Sequence, residues 1–174
     1  MNRYRITAAG AVLAGAAALI VPSTPALAGA RLSLPGCKGS QLSAAMSVIP
    51  GSAGAGNIGY RLTLKNHGGA CILGDHPGLK LLKANGQGLP TRVIKSGRTA
   101  FGTMTVGTGH STSARLRFSP DVAGPGEPGK GPCEPAAHKV KVLLSAPGSG
   151  TVTGAVKPPT SVCEHGSIQE QPLG

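Results

Sequence analysis

Apolar and polar positions alternate with a period of two along most of residues 41–168, the pattern of strands that bury one face of a sheet. The alternation is clearest where Ile58, Tyr60, Leu62 and Leu64 interleave with Gly59, Arg61, Thr63 and Lys65. It returns where Ala114, Leu116 and Phe118 interleave with Arg115 and Arg117, and where Val140, Val142 and Leu144 interleave with Lys139 and Lys141. Segments at 41–49, 71–73 (resumed at 79–82 after a break), 91–95, 100–106 and 151–156 complete a set of seven or eight short strands. No segment keeps a helical period for three turns.

Turn residues fall between these segments. Pro50-Gly51, Asn66-His67-Gly68-Gly69 and Pro147-Gly148 end strands, and Asn85-Gly86 is a hairpin signal. Residues 119–132, rich in Pro, Gly and charge, read as an exposed loop. Short strands, Gly/Pro turns and no helix predict an all-β, two-sheet sandwich over residues 37–174, entered through a lead-in at 29–36.

The first 28 residues change the picture of where this domain works. Arg3 and Arg5 precede an apolar run from Ala8 to Val21, and Ala26-Leu27-Ala28 has the small-x-small form that signal peptidase cuts. At 14 residues the run falls short of the roughly 20 that a membrane span needs, so the expected product is secreted, cleaved after Ala28 and without a transmembrane span. All four cysteines, Cys37, Cys71, Cys133 and Cys163, follow the cut. In an oxidising compartment they read as two disulfides, with three pairings open. Gly and Pro make up about a quarter of the mature chain, near the level of low-complexity disorder. Each bridge across a loop of about 35 residues adds roughly 4 kcal/mol in the chain-entropy model, so the bridges decide whether so thin a core folds.

Charge narrows the partners. The leader holds two of the 17 Lys and Arg residues and none of the six acids, which leaves 15 bases against six acids, a formal +9. Surfaces for single-stranded nucleic acid add stacking aromatics, whereas this chain keeps only Tyr60, Phe101 and Phe118 after the leader. The expected partner is therefore an anionic cell-wall polymer or an acidic protein, and not nucleic acid. Outward Arg61 and Lys65, Arg115 and Arg117, and Lys139 and Lys141 form the candidate face for it. Basic residues on outward positions also serve to blunt sheet edges.

Catalytic signatures are missing. The chain has no G-x-S-x-G and no H-E-x-x-H. Glu127, Glu134, Glu164 and Glu170 fall in loop or tail positions, and Gly109-His110-Ser111 reads as a polar turn. His67, Cys71, Asp75 and His76 lie within ten residues and hold metal-ligand chemistry. With Cys71 in a disulfide, only His67, Asp75 and His76 remain, on separate exposed turns, so neither a metal nor a cofactor is expected.

Four stretches resemble a domain of unknown function (family 4232) of exported actinobacterial proteins and lipoproteins. They are Cys37 with Leu42; Gly54-Ala55-Gly56 with the run from Tyr60 to Asn66; Cys71-Ile72-Leu73-Gly74-Asp75-His76-Pro77-Gly78-Leu79; and Cys133 and Cys163 flanking Val140–Leu144. The likeness spans about residues 37–170. Thr108-Gly109 stands where a Pro-Gly turn is common in that family, and Phe118 where tryptophan is. The resemblance implies an immunoglobulin-like sandwich with Cys37–Cys71 and Cys133–Cys163 bridges, and brings no catalytic residues. The expectation is a non-catalytic binding or structural module of the envelope or medium. The alternative is a secreted protease inhibitor using the loop at Gly74–Gly78 or at Gly124–Pro132.

Overall fold

The alternating segments form ten strands: β1 (Leu42–Val48), β2 (Ile58–Asn66), β3 (Cys71–Gly74), β4 (Gly78–Leu82), β5 (Arg92–Lys95), β6 (Thr103–Val106), β7 (Ser111–Phe118), β8 (Ala137–Leu143), β9 (Thr151–Thr160) and β10 (Ser167–Glu170). The structure is a computed structural model that describes residues 33–97, 102–130 and 132–174. The expected leader at 1–28 and its cut, the first half of the 29–36 lead-in, and Phe101 lie outside the described residues.

Eight strands hydrogen-bond into one sheet in the order β4-β8-β9-β1-β2-β7-β10-β5, while β3 and β6 pair as a separate ribbon. Two parallel pairings, β1 with β9 and β10 with β5, stitch the antiparallel hairpins into that continuous order. The segment between the edge strands draws the edges together. Leu89 N–H donates to Leu81 O at 2.9 Å, Leu81 N–H donates to Thr91 Oγ1 at 2.9 Å, and Leu82 bridges Gly88. The architecture is thus a single, nearly closed sheet with a ribbon beside it. This corrects the expected immunoglobulin-like pair of packed sheets.

Period-two burial fills the interior. Tyr60, Leu62, Leu64, Leu116, Val140 and Val142 are at most 1% exposed, and each contributes about 1.5–3 kcal/mol as buried apolar surface. Tyr60 packs on Phe118 with ring centroids 5.2 Å apart and donates its hydroxyl to Pro158 O at 3.0 Å. Gly154 of β9 has no side chain where β1 approaches, since a Cβ there would meet the Ala44 carbonyl. Several elements run past their expected bounds. The strand expected at 151–156 extends through Pro158-Pro159 to Thr160, and the tail contributes a tenth strand.

The cysteines pair as the resemblance implies, Cys37 with Cys71 and Cys133 with Cys163. Asn66, the residue that ends β2, organises the first bridge. Its Nδ2 donates to Gly69 O, Val106 O and Gly107 O at 2.9–3.3 Å, and its Oδ1 accepts from Gly68 N and Gln41 Nε2. Gln41 Nε2 also lies 3.1 Å from Cys71 Sγ. A buried amide thus meets nearly all its hydrogen-bonding capacity where a turn, the ribbon and the bridge meet. Among the described residues no helix is long and apolar enough to cross a membrane.

Candidate functional site: a cationic sheet face

β2 and β7 are neighbours, and their register sets the candidate basic residues side by side. Arg61 stands directly opposite Arg115, Gly59 opposite Arg117 and Lys65 opposite Ser111. Inward Leu62, Leu64, Leu116 and Phe118 force the alternate positions outward. Across the sheet, Arg61 pairs with Ser47 of β1, and Ser47 with Lys157 of β9. Arg115, Arg61 and Lys157 therefore share one row of exposed side chains perpendicular to the strands, with strands spaced about 4.8 Å apart.

This face has no counter-charge. β1, β2, β7, β8 and β9 contain no Asp or Glu. Among the described residues, Arg61, Lys65, Arg115 and Arg117 make no ion pair and no side-chain hydrogen bond. Like charges directly opposite in a sheet are destabilising. Both β2 and β7 are interior strands of the sheet, so edge protection does not account for these arginines.

Lys139 and Lys141 lie elsewhere. They sit on β8, which β9 and β1 separate from β2. There Lys141 is opposite Lys80 of the edge strand β4 and Lys139 is opposite Leu82. The six basic residues thus divide into a central face of four and a lysine patch near the sheet edge, where the edge-blunting role applies.

A second constellation lies inside the fold. Sequence reasoning placed Asp75-His76 on an exposed turn and Glu170 in the tail, yet His76 is 4% exposed and Glu170 is fully buried on β10. His76 Nδ1 stands 3.5 Å from Glu170 Oε2, and neither that nitrogen nor either carboxylate oxygen has a hydrogen-bond partner. Burial pushes the Glu170 carboxyl up to about 7, with Lys95 pulling it down and Asp75 pushing it further up. Asp75 Oδ2 accepts the Gly102 N–H at 3.0 Å, and Ser145 Oγ donates to His76 O. The Ile168-Gln169-Glu170 alternation carries the signal for an inward Glu170, but an acid at an apolar slot hides it.

His67, Asp75 and His76 do not converge. His67 Nε2 is 2.8 Å from Ser43 Oγ, within the loop that the Cys37–Cys71 bridge closes, while His76 lies beyond Cys71 and faces Glu170. The groups that do approach within 4.8 Å among the described residues centre on Glu127, either with Glu134 and His165 or with the bridged Cys133 and Cys163. Glu127 is already committed there. It accepts N–H bonds from Gly124 at 2.6 Å, Glu164 at 2.8 Å and His165, and so caps two successive left-handed residues, Glu164 and His165. Desolvation raises its carboxyl, but these three N–H donors and His165 outweigh that and hold it below the usual range.

Of the two loops considered for protease inhibition, Gly74–Gly78 buries His76 and Pro77. In the other, Gly124–Pro132, the described residues 124–130 and 132 are mostly exposed, beside the Cys133–Cys163 bridge. Residues 37–174 match the family model described as a domain of unknown function, DUF4232. No curated protein and no solved structure matches the chain.

Proposed function

The chain belongs to the DUF4232 family, a domain of unknown function, and from that premise we propose that it is an exported, non-catalytic binding module that docks on an anionic polymer of the cell envelope. The leader pattern of residues 1–28 and the two disulfides support export. The observation that carries the docking reading is the Arg61–Arg115 pairing in the interior of the sheet. A fold gains nothing from two guanidiniums opposed without an acid, whereas a polyanion laid across the row neutralises both. Lys65, Arg117 and Lys157 extend the same surface in three directions.

Attraction of this kind is screened by salt, with a Debye length of about 10 Å at 0.1 M. The protein is expected to be retained on the anionic fraction of cell-wall material at low ionic strength and released as salt rises. Retention that ignores salt, or no retention at low salt, contradicts the reading.

A further inference from the structure

A cleft of about 220 Å³ opens on the cationic face where β5, β7 and β10 meet, lined by Ser96, Arg115, Arg117, Gln169 and Gln171. The strand pleat builds it. Ile168 and Glu170 point inward, which turns Gln169 and Gln171 out beside the two arginines of β7. Gln169 is registered opposite Arg117, and Gln171 N–H donates to Arg115 O at 2.9 Å. Ser96 is fixed by two bonds to one carbonyl, N–H and Oγ–H both donating to Glu170 O at 2.8 and 3.0 Å.

The polar groups of the cleft are unspent in a particular way. Among the described residues the side chains of Arg115, Arg117, Gln169 and Gln171 make no hydrogen bond. Each guanidinium offers five N–H donors and each carboxamide offers two donors and an acceptor. Ser96 has committed its only hydrogen to Glu170 O, so its Oγ is left as an acceptor. The cleft thus presents two guanidinium forks, with acceptors at its rim. A carboxylate has two coplanar oxygens that a single fork satisfies, whereas phosphate oxygens leave in different directions and can meet two forks at once. The Ser96 Oγ and the glutamine carbonyls call for a hydroxyl next to that anion.

On the opposite side of the Arg61–Arg115 pair lies a second cleft of about 210 Å³, lined by Ser47, Val48, Ile49, Pro50, Arg61 and Thr63. A chain leaving the first cleft across the paired arginines enters the second, which fits a linear ligand with repeated charge.

We propose that the β5–β7–β10 cleft is the subsite for one phosphate group of a polyol phosphate chain, the guanidiniums of Arg115 and Arg117 holding the phosphate and Ser96, Gln169 and Gln171 its neighbouring hydroxyl. This subsite rests on the docking reading above and specifies its ligand.

Titrating the protein with glycerol 1-phosphate, while following backbone and side-chain amide signals by NMR, tests it. The expected shifts centre on Ser96, Gln169 and Gln171. Arg117→Gln weakens binding about tenfold, the loss of one charge-assisted fork. Arg117→Lys keeps the charge and still weakens it, because the fork is gone. Methyl phosphate, which lacks the hydroxyl, binds more weakly to the protein, and Gln171→Ala erases that difference. Glucuronate or a sulfate ester binding as tightly as glycerol phosphate overturns the phosphate assignment. Salt-dependent retention on wall polymer with no shifts in the cleft overturns the subsite and leaves the docking face standing. Absent retention at low salt overturns the docking face itself.

Discussion

β7 and β10 place charge on their two faces in opposite ways. Outward, Arg115, Arg117, Gln169 and Gln171 line a solvent-exposed polar cleft. Inward, between apolar Ile168 and Leu173, Glu170 is buried against His76 with no hydrogen-bond partner for its oxygens. The difference is one of coupling. Charge on the outer face is solvated, so it can be spent on a ligand with little effect on folding. Charge on the inner face is desolvated, so its protonation state is part of the folding equilibrium. Substitutions on the two faces should therefore read out in different experiments.

The largest effect is expected inside. His76→Ala empties a buried site packed against Glu170 and should destabilise the fold by about 3 kcal/mol. Urea unfolding of parent and variant checks this, and a loss well below about 1 kcal/mol would show that the imidazole is not packed inside.

Glu170→Gln sharpens the same point. The native carboxyl holds its proton up to about pH 7, while in the unfolded chain it ionises near the ordinary value of 4.5. Between those values the unfolded state binds fewer protons, so stability falls as pH rises through the window. A glutamine in its place should remove that fall and leave the variant more stable than the parent at pH 8 by roughly 2 kcal/mol. His76, Asp75 and Lys95 are the titratable groups facing Glu170 among the described residues, and thermal melts of parent and variant across pH 4–8 measure the difference. Parallel pH profiles would show that the carboxyl is not perturbed.

On the outer face the sign of the small stability effect is the informative part. Arg61→Gln removes a like-charge cross-strand pair and should leave stability unchanged or raise it by up to about 0.5 kcal/mol, while retention on anionic polymer drops. Arg61→Glu goes further, creating an attractive pair with Arg115 and reversing the charge a polyanion would meet. A clear destabilisation by either substitution would mean that Arg61 serves the fold.

The outer face was legible in the sequence and the inner pair was not. Alternation in β2 and β7 fixes which residues point out, so Arg61, Lys65, Arg115 and Arg117 could be assigned to one side before their strands were known to be adjacent. Which strands pair is a long-range matter, and the local pattern does not encode it. That is why a two-sheet sandwich was expected where parallel β1–β9 and β10–β5 pairings join eight strands into one sheet. It is also why Lys139 and Lys141 were grouped with arginines that lie three and four strands away. Glu170 escaped notice for a local reason. A lone acid after Ile168, two residues from Pro172, carries the signature of a solvated tail, and it is the pairing of β10 between β7 and β5, with His76 packed against the carboxyl, that makes the position interior. The bridges were legible through the family resemblance, since four cysteines taken alone leave three pairings open, and the structure closes Cys37–Cys71 and Cys133–Cys163.

The central claim is that the β2–β7 face binds an anionic envelope polymer, and the triple variant Arg61→Gln, Arg115→Gln, Arg117→Gln tests it most directly. Its retention on anionic cell-wall material should be measured beside that of the parent and of the control Lys139→Gln, Lys141→Gln, across a salt series. The account predicts that the triple variant loses retention at low salt while keeping the parent's melting temperature or exceeding it, and that the control stays close to the parent. Equal losses in the two variants would show a response to net charge alone, and unchanged retention in the triple variant would contradict the account.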